Sequence, residues 1–143
     1  MVARIIFLLL LSPWMGTWKL NPAKSTSAPD RYKRVITKIQ PWNDNVKVSY
    51  DMVGVRGGVS HLEWVGKFDG KDYRVAGADY LMTNAYTQLD ERSYQIVVKV
   101  EGAVAATAHV EISPDGKTLT TVTTEKDSHG NSIMTTAVYE KVS

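Results

Sequence analysis

Two His-x-Glu motifs come nearest, in residue type and spacing, to a metal-binding pattern. His61 and Glu63 form one pair, and His109 and Glu111 form the other. Imidazole and carboxylate ligands together suit zinc or non-haem iron, and residues two apart on a β-strand share one face. One hypothesis is therefore a metal-dependent enzyme built on the two pairs.

The residues that alternate with these pairs favour a different interpretation. Leu62 and Trp64 lie on the opposite face of the first motif, and Val110 and Ile112 on that of the second. The apolar face of a strand normally turns toward the core, so we expect both pairs in solvent. We predict no metal site and no cofactor.

A second set of residues suits the binding of an apolar or amphipathic molecule. Aromatic rings and methionine side chains line apolar cavities, and tyrosine hydroxyls orient a ligand within them. The predicted ligand-binding residues are Tyr50, Trp64, Met82, Tyr86, Tyr94 and Tyr139. The alternative is that these side chains fill the interior and leave no cavity, since small barrels allow either outcome.

The sequence contains no motif that is typical of other kinds of catalysis. It has no Gly-x-Ser-x-Gly elbow and no glycine-rich phosphate loop. It also has no cysteine, which removes disulfides, thiolate metal sites and cysteine nucleophiles together. We therefore predict no catalytic residues, and no motif in the sequence indicates an enzyme.

Length and charge limit the class of protein further. The chain has 143 residues, enough for one domain with its own core. Its 17 basic residues are scattered and the net charge is only +2, so there is no footprint for nucleic acid. We expect a small molecule as the partner and no nucleic acid.

The elements that must position these residues are strands. Turn signals such as Gly57-Gly58 and Asp69-Gly70 recur about every dozen residues, and apolar residues between them alternate with period two. The pattern predicts strands near 15–20, 32–40, 46–53, 59–68, 72–76, 80–88, 93–101, 103–112, 118–126 and 132–142. The predicted fold class is all-β.

Short connections between the predicted strands indicate an antiparallel up-and-down arrangement. About ten such strands are too many for an open sheet in a chain of this size, and closing the sheet removes both exposed edges. The sequence therefore predicts a single closed β-barrel over residues 14–143. The one long connection, residues 21–31, either covers a mouth of the barrel or crosses its end.

Both ends of the barrel sequence carry a family resemblance. The stretch Gly16-Thr17-Trp18-Lys19-Leu20 resembles the first strand of fatty-acid-binding proteins and lipocalins, the calycin barrels. The stretch Val138-Tyr139-Glu140-Lys141-Val142 resembles the last strand of fatty-acid-binding proteins, and Gly16–Ser25 also resembles small exported bacterial proteins.

This resemblance implies a lipocalin-like barrel that holds a small ligand inside, with Trp18 plugging one end and Tyr139 contacting the ligand. Fatty-acid-binding proteins carry an Arg two residues before this Tyr, and this chain has Ala137 there. Only the tyrosine of that ligand-binding pair is thus present. A second hypothesis is a packed barrel that acts through its surface, as an envelope or protein-interaction module.

The first 13 residues have the pattern of a targeting segment. Arg4 precedes an unbroken apolar run over residues 5–11, too short for a transmembrane helix and typical of a secretory signal. The prediction is a periplasmic or secreted protein, tethered to a membrane only if the segment is retained. In that case Trp14 would lie at the membrane interface; otherwise it packs near the first strand. The alternative for the apolar run is a buried strand or helix.

Overall fold

The structure, a computed structural model, describes residues 12–26 and 32–143. Within them, ten strands form one closed antiparallel barrel. The strands are β1 (Gly16–Leu20), β2 (Tyr32–Trp42), β3 (Asn45–Gly54), β4 (Val59–Gly66), β5 (Tyr73–Ala76), β6 (Met82–Asp90), β7 (Ser93–Val100), β8 (Ala103–Ile112), β9 (Thr118–Lys126) and β10 (Ser132–Lys141). The predicted all-β class and the ten-stranded barrel are confirmed.

The strands follow one another around the barrel in chain order, each pairing with its predecessor and successor. Closure comes from β1 and β10, where Trp18 pairs with Lys141 and Leu20 with Tyr139. Every predicted strand boundary agrees with the structure to within two residues. Period-two alternation and turn residues are strong local signals, so the up-and-down order could be predicted from them.

The up-and-down order gives the barrel two distinct ends. The connections 21–31, 55–58, 77–81, 101–102 and 127–131 lie at one end, which we call the cavity end. The connections 43–44, 67–72, 91–92 and 113–117 lie at the other, together with Trp14 and the C-terminus. We call that other end the packed end.

Two tryptophans seal the packed end. A short 3₁₀ turn, Ser12–Trp14, precedes β1, and both Trp14 and Trp18 are fully buried. The Trp18 indole Nε1 donates a hydrogen bond to the backbone oxygen of Trp14 at 2.9 Å, and the Trp14 ring meets Tyr94 edge-on at 5.3 Å between centroids. Trp18 therefore plugs this end, as predicted, and Trp14 packs near the first strand.

A cluster of aromatic rings continues this core toward the middle of the barrel. The Trp64 ring packs against Phe68 and Tyr86 at centroid distances of 5.9 and 4.3 Å. Its indole Nε1 donates to the backbone oxygen of Asn84 at 2.9 Å, so its polar atom is satisfied. Gly66 makes this packing possible, because a Cβ there would run into the Trp64 and Tyr73 rings. Aromatic rings each bury a large apolar area, so this cluster dominates the core.

The long connection is described only in its first part. The backbone N–H groups of Asn21 and Thr26 donate to Val138 and Thr136 of β10 at 2.8 and 2.9 Å, so this part runs along the rim of the cavity end. Its remainder, 27–31, lies outside the described residues, as does the predicted apolar segment over 5–11. Across residues 12–26 and 32–143, no helix has the length and apolar character needed to cross a membrane.

Candidate ligand-binding cavity

A cavity of about 200 Å³ lies inside the barrel at the cavity end. Its wall comes from β1, β2, β3, β9 and β10, where these strands approach that end. The lining residues are Leu20, Tyr32, Val35, Tyr50, Met52, Thr123, Glu125, Thr135, Ala137 and Tyr139. Half of them carry a hydroxyl, so the wall is amphipathic.

Strand β10 supplies one side of the cavity because its inward face holds small or hydroxylated residues. Thr135, Ala137 and Tyr139 alternate along the strand and all three line the cavity. Ala137 contributes only a methyl group to the wall between Thr135 and Tyr139. Tyr139 contributes a hydroxyl, and none of the three β10 residues on the cavity wall is positively charged.

Two tyrosine hydroxyls meet on the cavity's inner side. The Tyr50 hydroxyl forms a hydrogen bond with the Tyr86 hydroxyl, where either can donate. Burial raises the pKa of Tyr50 well above its usual value, and the neighbouring Tyr86 raises it further. Burial also raises the pKa of Tyr139 to about 12. Tyr50 and Tyr139 therefore stay neutral near pH 7, able both to donate and to accept hydrogen bonds.

The six residues predicted to bind a ligand divide between the cavity and the core. Tyr50 and Tyr139 line the cavity, and Tyr86 lies behind Tyr50 as its hydrogen-bond partner. Trp64, Tyr86 and Tyr94 are buried in the aromatic cluster, and Met82 is partly buried against it. The ligand-binding role of all six stays a prediction, with Tyr50 and Tyr139 placed to touch an occupant directly.

Several residues that line the cavity were not predicted from the sequence. Thr123 and Glu125 lie in the β9 segment, whose threonines show only β-propensity. Alternation does carry a signal, because Leu119 is buried in the core and residues at even offsets from it share its face. Counting in steps of two residues from Leu119 would have predicted that Thr123 and Glu125 point inward. Thr135 could be placed in the same way, because it lies four residues before Tyr139 on β10. Near Tyr32 a register shift between Tyr32 and Arg34 interrupts the alternation.

The two His-x-Glu pairs lie on the outer surface, away from the cavity. His61 contacts Asp51 through Nδ1 at 2.6 Å and Glu63 through Nε2 at 3.1 Å, and Glu63 also contacts Lys47 at 2.6 Å. The hydrogen bonds to Asp51 and then Glu63 raise the pKa of His61, and Lys47 followed by His61 lowers the pKa of Glu63. The arrangement is that of a surface ion-pair chain.

The second pair is separated from the first around the barrel. His109 is exposed on β8, which pairs with β7 and β9 and not with β4. The structure thus does not bring His109 and His61 onto neighbouring strands. Across residues 12–26 and 32–143, no three His, Asp or Glu side chains are grouped so as to hold a metal ion.

Exposed apolar side chains mark the rim of the cavity end. Val59, Met134 and Val104 keep 78%, 71% and 60% of their surface exposed at the starts of β4, β10 and β8. None of the three is among the residues that line the cavity. Comparison of the chain with protein-family models and with curated proteins found no match.

Proposed function

We propose that this protein binds one small amphipathic molecule in the cavity at the cavity end of the barrel. The observation that carries the proposal is the cavity of about 200 Å³, with hydroxyl and apolar groups on one wall. An apolar protein cavity of about 150 Å³ holds benzene, whereas drug-sized ligands occupy roughly 300–1,000 Å³. The expected ligand is therefore about one ring in size, with a polar group.

The calycin resemblance supports this function in a restricted form. A closed up-and-down barrel, Trp18 as the plug of one end and Tyr139 on the cavity wall are the features that the resemblance implied. Long-chain fatty acids bound in the manner of that family fit less well, because Ala137 replaces the arginine and the cavity is small. We propose a lipocalin-like binding protein with a ligand of its own.

We further propose that the protein is exported, to the periplasm or outside the cell. The support is the basic residue and apolar run within residues 1–13. The structure adds a limit on processing: Trp14 is fully buried and bonded to Trp18. Removal of the segment without damage to the barrel therefore requires cleavage before Trp14. If it is retained, it tethers the packed end to a membrane.

Native mass spectrometry of the protein isolated from its source cells tests ligand binding and processing together. We expect a mass equal to the processed chain plus one small molecule. The variant Ala137→Phe should lose the molecule because the added ring fills the cavity. The control Ala76→Phe places the same ring at an exposed position of β5 and should retain it.

Two results would refute cavity binding. One is equal ligand retention by the Ala137→Phe and Ala76→Phe variants, which would locate the molecule elsewhere. The other is a wild-type protein that carries no molecule and also fails to bind any member of a one-ring fragment set in ligand-observed NMR. An unprocessed mass would refute cleavage and leave cavity binding untouched.

The exposed rim favours a second candidate, a module that binds another protein through the cavity end. Val59, Val104 and Met134 are apolar, highly exposed and close to the starts of strands that begin at the cavity end. Clusters of exposed apolar residues mark interaction sites in soluble proteins. A photo-cross-linker at Val59 should then capture one defined partner in the native compartment. A cross-linker at Leu89, exposed at the packed end, should not capture it; equal capture would exclude the rim.

A further inference from the structure

The first strand of the barrel covers only part of its two neighbours. Strand β1 pairs with residues 36–39 of β2 and with 139–141 of β10, and it ends at Leu20. Residues 32–35 of β2 and 132–138 of β10 therefore extend toward the cavity end beyond the last residue of β1. Along these two stretches β1 no longer joins the strands on either side of it.

The cavity lies against the place where β1 ends. Five of its ten lining residues come from the strand segments that border this place. They are Leu20 at the end of β1, Tyr32 and Val35 on β2, and Thr135 and Ala137 on β10. An opening between β2 and β10 would therefore lead from the side of the barrel directly into the cavity.

The connection after β1 continues along β10 in place of that strand, and we call its residues 21–26 the latch. The backbone N–H of Thr26 donates to the backbone oxygen of Thr136 at 2.9 Å, and Thr26 Oγ1 accepts from the Thr136 N–H at 3.2 Å. The Val138 N–H donates to Ser25 Oγ at 3.0 Å. Two side-chain hydroxyls thus accept the bonds that backbone carbonyl groups accept in a strand pair.

The latch is bonded to the β10 backbone over a short stretch. In the described part of the chain it uses the backbone groups of residues 136 and 138, whereas nine residue pairs join β10 to β9. Ser25 Oγ also donates to the backbone oxygen of Asn21 at 2.8 Å, so one hydroxyl both shapes the latch and holds it on β10. Segments held by few hydrogen bonds open at a lower free energy than core strands. We therefore expect the latch to open before the strands around it.

We propose that the ligand enters and leaves the cavity through the side of the barrel, by separation of the latch from β10. This inference rests on the proposed cavity-binding function and deepens it. Ser25 and Thr26 act as positioning residues, since neither lines the cavity. The latch sets the rates of binding and release, and the residues of the cavity wall set the affinity.

A disulfide across the latch tests this route, and the chain has no cysteine that could compete for it. Thr26→Cys with Thr136→Cys joins the latch to β10. The matched control, Lys126→Cys with Ser132→Cys, joins paired residues of β9 and β10 at the same end of the barrel. The probe is para-fluorophenol, one ring with a hydroxyl group. Fluorine NMR exchange spectroscopy on the full chain gives its association and dissociation rates in the oxidised and reduced forms.

Oxidation of the latch pair should slow association and dissociation together, by about tenfold or more, because the separation that admits the probe is then blocked. The dissociation constant should not change, since the closed structure is the same in both forms. The control pair should give equal rates when oxidised and reduced. Unchanged rates in the oxidised latch pair, or equal slowing in the control pair, would overturn the side route.

A second pair of variants does not depend on disulfide formation. Ser25→Ala removes the hydroxyl that accepts from the Val138 N–H. It should raise both rates about two- to tenfold, the range of one hydrogen bond, and leave the affinity unchanged. Ser60→Ala removes an exposed hydroxyl near the start of β4 at the same end and should change neither rate. Equal rates in Ser25→Ala and wild type would contradict the role of the latch.

The failure of this inference and of the proposed function are distinguishable. A probe that wild type binds and Ala137→Phe does not, with rates that are insensitive to the latch variants, would overturn the inference and leave cavity binding intact. Equal binding by wild type and Ala137→Phe would locate the probe outside the cavity. That result would count against cavity binding itself and, with it, the inference.

Discussion

The two ends of this barrel are built from the same strands but from different inward residues. At the packed end, the large rings of Trp14 and Trp18 are fully buried and fill the interior. At the cavity end, the corresponding inward positions of β9 and β10 carry Thr123, Thr135 and Ala137, and a cavity of about 200 Å³ remains. Stability and binding capacity are therefore separated along the barrel axis, which substitutions at each end can test.

The largest expected effect comes from removing the plug of the packed end. Trp18→Ala deletes a fully buried indole and its hydrogen bond to Trp14. We expect the free energy of unfolding to fall by about 3–5 kcal/mol, the usual cost of truncating a buried large aromatic residue. Urea denaturation measures it. Trp42→Ala, at a residue that is 44% exposed, is the control and should lower the free energy of unfolding far less. Similar losses in the two variants would contradict the conclusion that burial of Trp18 at the packed end stabilises the fold.

A reciprocal exchange of one methyl for one hydroxyl compares the two ends directly. Val48→Thr places a hydroxyl in the buried core, and we expect a loss of about 1–3 kcal/mol in the free energy of unfolding. Thr135→Val removes a hydroxyl from the half-buried cavity wall and should change it by about 0.5 kcal/mol or less. Chemical denaturation of both variants gives the comparison. A larger cost at Thr135 than at Val48 would reverse our description of the two ends.

An intermediate effect is expected where the two ends meet. Tyr86→Phe removes the hydroxyl that bonds to Tyr50 and keeps the ring in the aromatic cluster. We expect a loss of about 1 kcal/mol in the free energy of unfolding, typical of one buried hydrogen bond. Thermal and urea unfolding measure it. Tyr80→Phe, at an exposed tyrosine, is the control and should be neutral.

The smallest effect is expected on the outer face, and it depends on pH. Asp51 and Glu63 raise the pKa of His61 above its ordinary value of 6.5. The protonated ring therefore stabilises the fold fully below pH 6.5, and this contribution is lost as pH rises through the raised pKa. His61→Gln should lower the free energy of unfolding by at most about 1 kcal/mol near pH 5.5 and have almost no effect near pH 8.5.

Urea unfolding of wild type and His61→Gln at both pH values measures this difference. His109→Gln is the matched control on β8, because it replaces an exposed histidine that lies outside the ion-pair chain of His61. A destabilisation by His61→Gln that grows with pH would contradict the assigned sign.

The fold could be predicted from the sequence because its signals are local. Alternation in β7 and β8 and the Asn, Asp and Gly residues at turns set the strands, and short connections set their order. The role of Trp18 as a plug was expected from the resemblance of Gly16–Leu20 to the first strand of calycin barrels, and its ring is fully buried. The exposure of His61 and Glu63 followed from the apolar residues that alternate with them.

The cavity could be predicted only in part, for a geometric reason. Alternation indicates which side chains point inward but not how far along the barrel axis each one lies. Trp64, Tyr86 and Tyr94 point inward like Tyr50 and Tyr139, yet the first three pack together and the last two face open space. That difference depends on how far each strand is displaced along the barrel axis relative to its neighbours. The same displacement places Tyr32 and Thr135 on the cavity wall.

The pairing of β1 with β10 also has a consequence for how the chain reaches its native state. Residues 18–20 pair with 139–141, so the contact that completes the barrel joins the two ends of the domain. Contacts this distant in sequence make folding slow, because the whole intervening chain loses freedom before they form. A chain still emerging from the ribosome lacks its last strand and cannot close. This delay leaves the barrel open until β10 has been synthesised.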